Sequence, residues 1–316
     1  MPIIIPSNSP WYKYIAENQT HKQDTSFITV IVSNFSDGES AVKLNLFDFG
    51  IASDVMRIPF NKPCCILSSL YPNPNDRLIE LGMIIDSLRR CGAGHIAVVA
   101  PYFCYTRQDR VTENASCLSS GLVLDFLYNA GVSELFTFDI HSESVLGYSK
   151  CPFYNVPTNK FFLQHIKELP IFKFAKEKIV FVAPDVGSIK RCRQMSKSVG
   201  CPMAIVDKKR HIRTGKVSAE YLIGDVDGMH CIIIDDIIGS GSTLLANVSF
   251  LKKMSAKSIT AYITHPVLSG NAVSRIDESD IDKVYVTNSI ELRKNSEKVV
   301  ALDLWPQIED ILNSEF

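Results

Sequence analysis

Short runs of Val, Ile and Phe alternate along this chain with longer stretches whose apolar residues recur every three or four positions. The short runs predict strands at 27–33, 64–69, 95–101 and 134–140, and again at 178–183, 202–206, 231–236, 258–264 and 283–287. They are almost continuously hydrophobic, as strands buried on both faces must be. Between them, Leu78, Leu81, Ile84, Ile85 and Leu88 place one apolar stripe on a helix over 76–90,. Further helices are expected over 118–129, stopped by Asn129-Ala-Gly131, and over 158–168, 189–199 and 243–254,. Strands alternating with helices predict an α/β fold built on mainly parallel sheets.

The chain has 316 residues, enough for two domains of roughly 150 residues each,. Cys151-Pro152 to Pro157-Thr158 breaks the pattern, so domains of 1–155 and 156–316 are expected, with the last helix free to pack back on the first,. VVAPYFCYTRQDR (98–110) and FVAPDVGSIKRCR (181–193) both follow a buried strand with Ala-Pro and then cations, a faint sign of two equivalent halves.

With 33 Lys+Arg against 34 Asp+Glu, the net charge of -1 argues against nucleic acid as a partner,. No apolar run approaches the ~18 residues of a membrane helix, and MPIIIPSNSPWYKY lacks the layout of a secretory signal,. Nine cysteines at irregular spacing, with no Cys-x-x-Cys pair, argue against disulfides and zinc,. The expectation is a cytoplasmic protein with reduced thiols and no membrane partner.

CIIIDDIIGSGST (231–243) is the sharpest chemical signal. A buried strand delivers Asp235 and Asp236 to its C-terminal end. A loop of small residues follows (Gly239, Ser240, Gly241, Ser242, Thr243), then a helix. Glycines let peptide N–H groups converge on an anion, hydroxyls add donors, and the helix N-terminus favours negative charge. That describes a phosphate cradle with two carboxylates placed to accept from sugar hydroxyls.

This segment resembles the ribose-phosphate loop of the type I phosphoribosyltransferase fold. Eight further blocks narrow the resemblance: FSDGES (35–40), NDRLIEL (75–81), PYFCYTRQDR (101–110), DIHSE (139–143), APDVGS (183–188), IVDKKR (205–210), IGDVDG (223–228) and ITHPVLSGNA (263–272). In this order they resemble the ribose-phosphate pyrophosphokinase family. The resemblance implies two tandem type I phosphoribosyltransferase-like domains and transfer of a pyrophosphoryl group from ATP to the 1-hydroxyl of ribose 5-phosphate, with Mg²⁺. It implies that Phe35, Asp37 and Glu39 bind adenine at a neighbouring subunit's site in a dimer-based homo-oligomer, extending to hexamers in the family. It further implies Arg107 and Gln108 on ATP, and His141 and Asp185 as metal ligands. Asp235, Asp236, Ser240, Gly241, Ser242 and Thr243 are implied on ribose 5-phosphate, and Lys208 and Arg210 as catalytic cations on a mobile loop that includes His211, Arg213 and Lys216. Arginine's planar fork suits phosphate, and a cationic flap neutralises charge and excludes water.

Three departures stand out. The family's phosphate loop has an acid where this chain has Gly239, threonine at 240 and glycine at 242, so a weaker hold on ribose is expected. VTENAS (111–116) replaces the basic, serine-containing stretch of phosphate- and ADP-regulated members. Residues 41–63 match poorly. Two competing readings use the same loop: a transferase that consumes phosphoribosyl pyrophosphate, which leaves FSDGES and DKKR unexplained, and a non-catalytic regulatory relative, which has no use for His141, Asp185, Lys208 and Arg210.

Overall fold

A computed structural model of the chain describes residues 1–18, 27–45, 62–210 and 217–314, with the backbone alone at 208–210 and 217–220. It resolves into two compact units, Met1–Val156 with Trp305–Phe316, and Pro157–Leu304. Among the described residues each unit is built on one seven-stranded sheet.

The first unit runs β1 (Ile3–Pro6), α1 (Pro10–Asn18), β2 (Phe27–Asn34), β3 (Ser40–Leu44), β4 (Pro63–Leu67), α2 (Pro74–Arg90), β5 (His95–Val99), α3 (Ser119–Ala130), β6 (Glu134–Phe138) and β7 (Phe153–Val156). The second runs α4 (Asn159–Glu168), α5 (Pro170–Phe174), β8 (Ile179–Ala183), α6 (Ile189–Val199), β9 (Met203–Arg210), β10 (Val217–Ile223), β11 (His230–Ile238), α7 (Ser242–Lys253), β12 (Ser258–Pro266), α8 (Ala272–Asp277), β13 (Lys283–Thr287) and β14 (Val299–Leu302). A last helix, α9 (Trp305–Ser314), belongs to the first unit.

The sheet orders are β3-β2-β1-β4-β5-β6-β7 and β10-β9-β8-β11-β12-β13-β14, the same topology twice. In both sheets only the hairpin at one edge, β2–β3 or β9–β10, is antiparallel. The nine expected strands are all present, and β1, β3, β7, β10 and β14 are additional. The faint similarity between 98–110 and 181–193 pairs the wrong elements, however. It matches β5 with β8, whereas topology makes β8 the counterpart of β1 and β12 that of β5. The misleading feature is proline at strand C-terminal ends: Pro6 and Pro266 end their strands, and Pro101 and Pro184 follow theirs closely.

Central strands are buried from end to end, as in Cys64–Leu67 and Ile179–Ala183. Helix α3 stops where expected, with Gly131 at φ 113° accepting the left-handed turn that a side chain would resist,. All nine cysteines are free. Burial pushes the Cys64 thiol up to about 11 and those of Cys104, Cys192 and Cys231 up to about 12, which keeps them protonated and inert,.

Helix α9 is fixed by an aromatic cluster. Trp305, 6% exposed, lies 6.2 Å from Trp11, 5.6 Å from Tyr14 and 6.5 Å from Phe27 between ring centroids. Trp305→Ala is expected to cost about 3–5 kcal/mol. Scanning calorimetry reads this as a lower unfolding midpoint, and an unchanged midpoint contradicts the anchoring role.

Candidate functional site

In the second sheet the chain leaves β8 toward β9 on one side, while β11 lies on the other. Such a switch point opens a crevice beyond the carboxyl ends of the two strands, where ligands of open α/β sheets collect. Strand β8 ends at Ala183, but β11 continues to Ile238 paired with β12 alone. Asp235 and Asp236 occupy that extension, and Asp185 follows β8 directly.

The carboxylates are linked. The Asp235 carboxylate Oδ1 accepts from the Asp236 N–H at 3.0 Å and from the Ser188 hydroxyl at 2.9 Å, and the same hydroxyl lies 3.1 Å from Asp185 Oδ1. Burial, then the neighbouring charges of Asp236 and Asp185, holds the Asp235 carboxyl well above the usual carboxylate range; the Ser188 hydroxyl opposes that shift,.

The loop after β11 is shaped from outside. Leu268 and Ser269 donate their N–H groups to the carbonyls of Ile238 and Gly239 at 3.0 and 3.1 Å. Arg275, on α8, donates to the Ser240 carbonyl at 3.0 Å and to the Ser242 hydroxyl at 3.2 Å. In a trans peptide the C=O and the following N–H point in opposite directions. Anchoring the carbonyls of 238, 239 and 240 on the 268–275 segment therefore turns the N–H groups of 239, 240 and 241 the other way. Gly241, at φ 74°, makes the left-handed step into α7, and the Ser240 and Ser242 hydroxyls approach to 3.1 Å. Thr243 lies in the first turn of α7. The arrangement has the layout of an anion cradle at a helix N-terminus. ITHPVLSGNA thus acts as its support, and Arg275 is a site residue for which no local signal exists.

In the first unit the expected residues cluster by loop. Phe35, Asp37 and Glu39 lie together, all exposed, on the turn of the β2–β3 hairpin, with Phe35 61% exposed. The turn is closed by Phe35 N–H to the Glu39 carbonyl at 2.8 Å and Gly38 N–H to the Phe35 carbonyl at 3.0 Å. Its base is tied down by buried Glu80 of α2, which pairs with Arg77 at 2.8 Å and accepts from Asn8 at 3.2 Å and Ser40 at 3.4 Å. NDRLIEL is therefore the hairpin's anchor.

Arg107 and Gln108 are exposed in the loop after β5, with Gln108 held through its backbone carbonyl by Ser120 and through its side-chain carbonyl by Ser119. Exposed His141 follows β6, just beyond buried Asp139, whose φ of 38° is a left-handed conformation unusual for a residue with a side chain,. Asp109 joins the two loops: hydrogen bonds from Ser142, the larger effect, and Ser144 hold its carboxyl below the usual range.

Lys208 and Arg210 are two residues apart in β9, in register with Ala219 and Val217. Their side chains, and residues 211–216 of the expected mobile loop, lie outside the described residues, as does most of 41–63. Among the described residues no three His, Cys, Asp or Glu side chains converge as a ready-made metal cage, and no helix is long and apolar enough to cross a membrane.

Two family models match the chain: "N-terminal domain of ribose phosphate pyrophosphokinase" over residues 6–131 and "Phosphoribosyl transferase domain" over 155–303. A ribose-phosphate pyrophosphokinase of Vibrio cholerae is 41% identical over 265 residues, spanning 83% of this chain and 79% of the relative. One from Thermosipho africanus is 35% identical over 281 residues, spanning 89% and 84%. The crystal structure of phosphoribosylpyrophosphate synthetase from Mycobacterium smegmatis superposes with a TM-score of 0.85 at 26% identity, covering 100% of this chain and 98% of that one. The doubled sheet, the cradle after β11 and these relatives agree: the chain belongs to the ribose-phosphate pyrophosphokinase family.

Proposed function

We propose that the chain transfers the pyrophosphoryl group of ATP to the 1-hydroxyl of ribose 5-phosphate, giving phosphoribosyl pyrophosphate and AMP. The observation that carries this reading is the cradle at 239–243 with Asp235 and Asp236 beside it, in a chain that also carries the FSDGES hairpin, for which a transferase consuming the product has no use.

Ser240, Gly241, Ser242 and Thr243 hold the 5-phosphate, while Asp235 and Asp236 accept from the ribose hydroxyls and orient the 1-hydroxyl. Arg107 and Gln108 bind ATP. Phe35 stacks on adenine and Asp37 and Glu39 accept from it, contributed to a neighbouring subunit's site in a dimer-based homo-oligomer; the exposure of all three supports such a donation. His141 and Asp185 are each proposed as a Mg²⁺ ligand. The donors fit the ion: the repelling carboxylates of Asp185, Asp235 and Asp236 favour a hard cation, one that would keep several waters and bind substrate phosphate. Bound Mg²⁺ supplies charge neutralisation on the phosphates. Lys208 and Arg210 meet the negative charge that develops as the hydroxyl attacks the β-phosphorus in line and AMP departs, a reaction governed by positioning and electrostatics. A cytoplasmic location is part of the same proposal.

The test is to mix protein, ATP, Mg²⁺ and ribose 5-phosphate and follow the phosphorus spectrum. Sugar-dependent AMP with a pyrophosphorylated sugar is expected. Binding of ribose 5-phosphate without AMP would replace this reading with the regulatory one. Arg275→Gln is expected to raise KM for ribose 5-phosphate about tenfold, the scale of one hydrogen bond involving a charge, with kcat within about threefold. Steady-state kinetics checks it, and an unchanged KM removes Arg275 from the cradle.

A further inference from the structure

We propose that Ser188 is a positioning residue for this transfer, its hydroxyl yoking Asp185 after β8 to Asp235 on β11. The proposal rests on the function assigned above and adds to it a residue that touches no substrate.

Serine directly before a helix is ordinarily a cap, its oxygen accepting from the first turn. Ser188 precedes α6 but makes no side-chain cap hydrogen bond. Its hydroxyl is committed elsewhere: 7% exposed, it lies 2.9 Å from Asp235 Oδ1 and 3.1 Å from Asp185 Oδ1, and the Ser188 N–H donates to that same Asp185 oxygen at 3.1 Å. A hydroxyl carries a single proton. It therefore sits shared between two carboxylates that would otherwise repel across the crevice. The Ser188 hydroxyl and the Asp236 N–H both reach Asp235 Oδ1.

The other end of the loop is held as well. Asn247, fully buried on α7, donates its amide to the Pro184 carbonyl at 3.3 Å. Residues 184–188 are thus fastened to the strand and the helix on either side of the phosphate cradle. Asp185 and the cradle keep one geometry because Asn247 and Ser188 tie them together.

The experiment uses the full chain and its Ser188→Ala and Ser188→Thr variants. Calorimetry with ribose 5-phosphate in metal-free buffer gives Kd, and steady-state assays with ATP and Mg²⁺ give kcat and KM. Ser188→Ala is expected to weaken ribose 5-phosphate about tenfold and lower kcat about tenfold, the scale of one hydrogen bond to a charged group. KM for ATP stays within about twofold on the same grounds, and Ser188→Thr, which keeps the hydroxyl, recovers both losses to within about threefold. Ala behaving like wild type, or Thr as impaired as Ala, overturns the positioning role. A wild-type chain that makes no AMP overturns the functional reading itself, and the proposal with it, so the two failures are distinct.

Discussion

Lys208→Ala lowers kcat by on the order of 100-fold or more at saturating substrates, and Arg210→Ala does the same. The transferred group carries charge on several oxygens throughout, so positioning and charge neutralisation govern the chemistry. The role proposed for Lys208 and Arg210 is to supply that neutralisation at the phosphates. Positions 208 and 210 alternate along the last turn-ward residues of β9, in register with 219 and 217 of β10, so both ride on one hairpin. They are expected to act as a unit, with the double variant little worse than either single. Rapid-quench measurement of AMP formation in one turnover separates chemistry from product release. A loss of less than about threefold in that step sinks the assignment.

Asp235→Asn loses about 100-fold in kcat/KM while the ligand-free protein becomes more stable. The asparagine oxygen still accepts from Ser188 and from the Asp236 N–H, so the change removes charge and little else. What it removes is a carboxylate held above its usual pKa by burial and by Asp236 and Asp185. A carboxyl raised on folding contributes its stability fully below its ordinary pKa of about 3.9, and loses it as pH rises through the raised value. At neutral pH the wild type bears that penalty, so the variant melts higher, by about 2–4 °C for each kcal/mol relieved. The gap closes as the pH is lowered and Asp235 takes up its proton. Melting curves across pH check this; a variant that melts lower at neutral pH refutes it.

The central strands were legible because burial on both faces leaves an unbroken apolar run, as in IVFVA at β8. Edge strands such as β3, SAVKL, and β7, FYNV, are short and half-exposed, and their mixed composition reads as loop. β1 was hidden for another reason. Its three isoleucines stand alone between Pro2 and Pro6, and only pairing with β2 and β4 makes them an interior strand of the sheet. Of the site, Asp235, Asp236 and the small-residue loop were plain because strand, turn and helix adjoin in sequence. Arg275 lies 35 residues from the Ser240 carbonyl it holds, and Ser188 looks like an ordinary cap. Their roles exist only once the chain has folded.

The first unit takes its closing helix, α9, from the far end of the chain. On a ribosome, Trp11 and its aromatic neighbours therefore wait without Trp305 while Pro157–Leu304 is made, on the order of ten seconds at ordinary synthesis rates. The second unit receives its last strand, β14, at the end of that interval, just before Trp305 is added. Although it is encoded later, it is the one able to finish first.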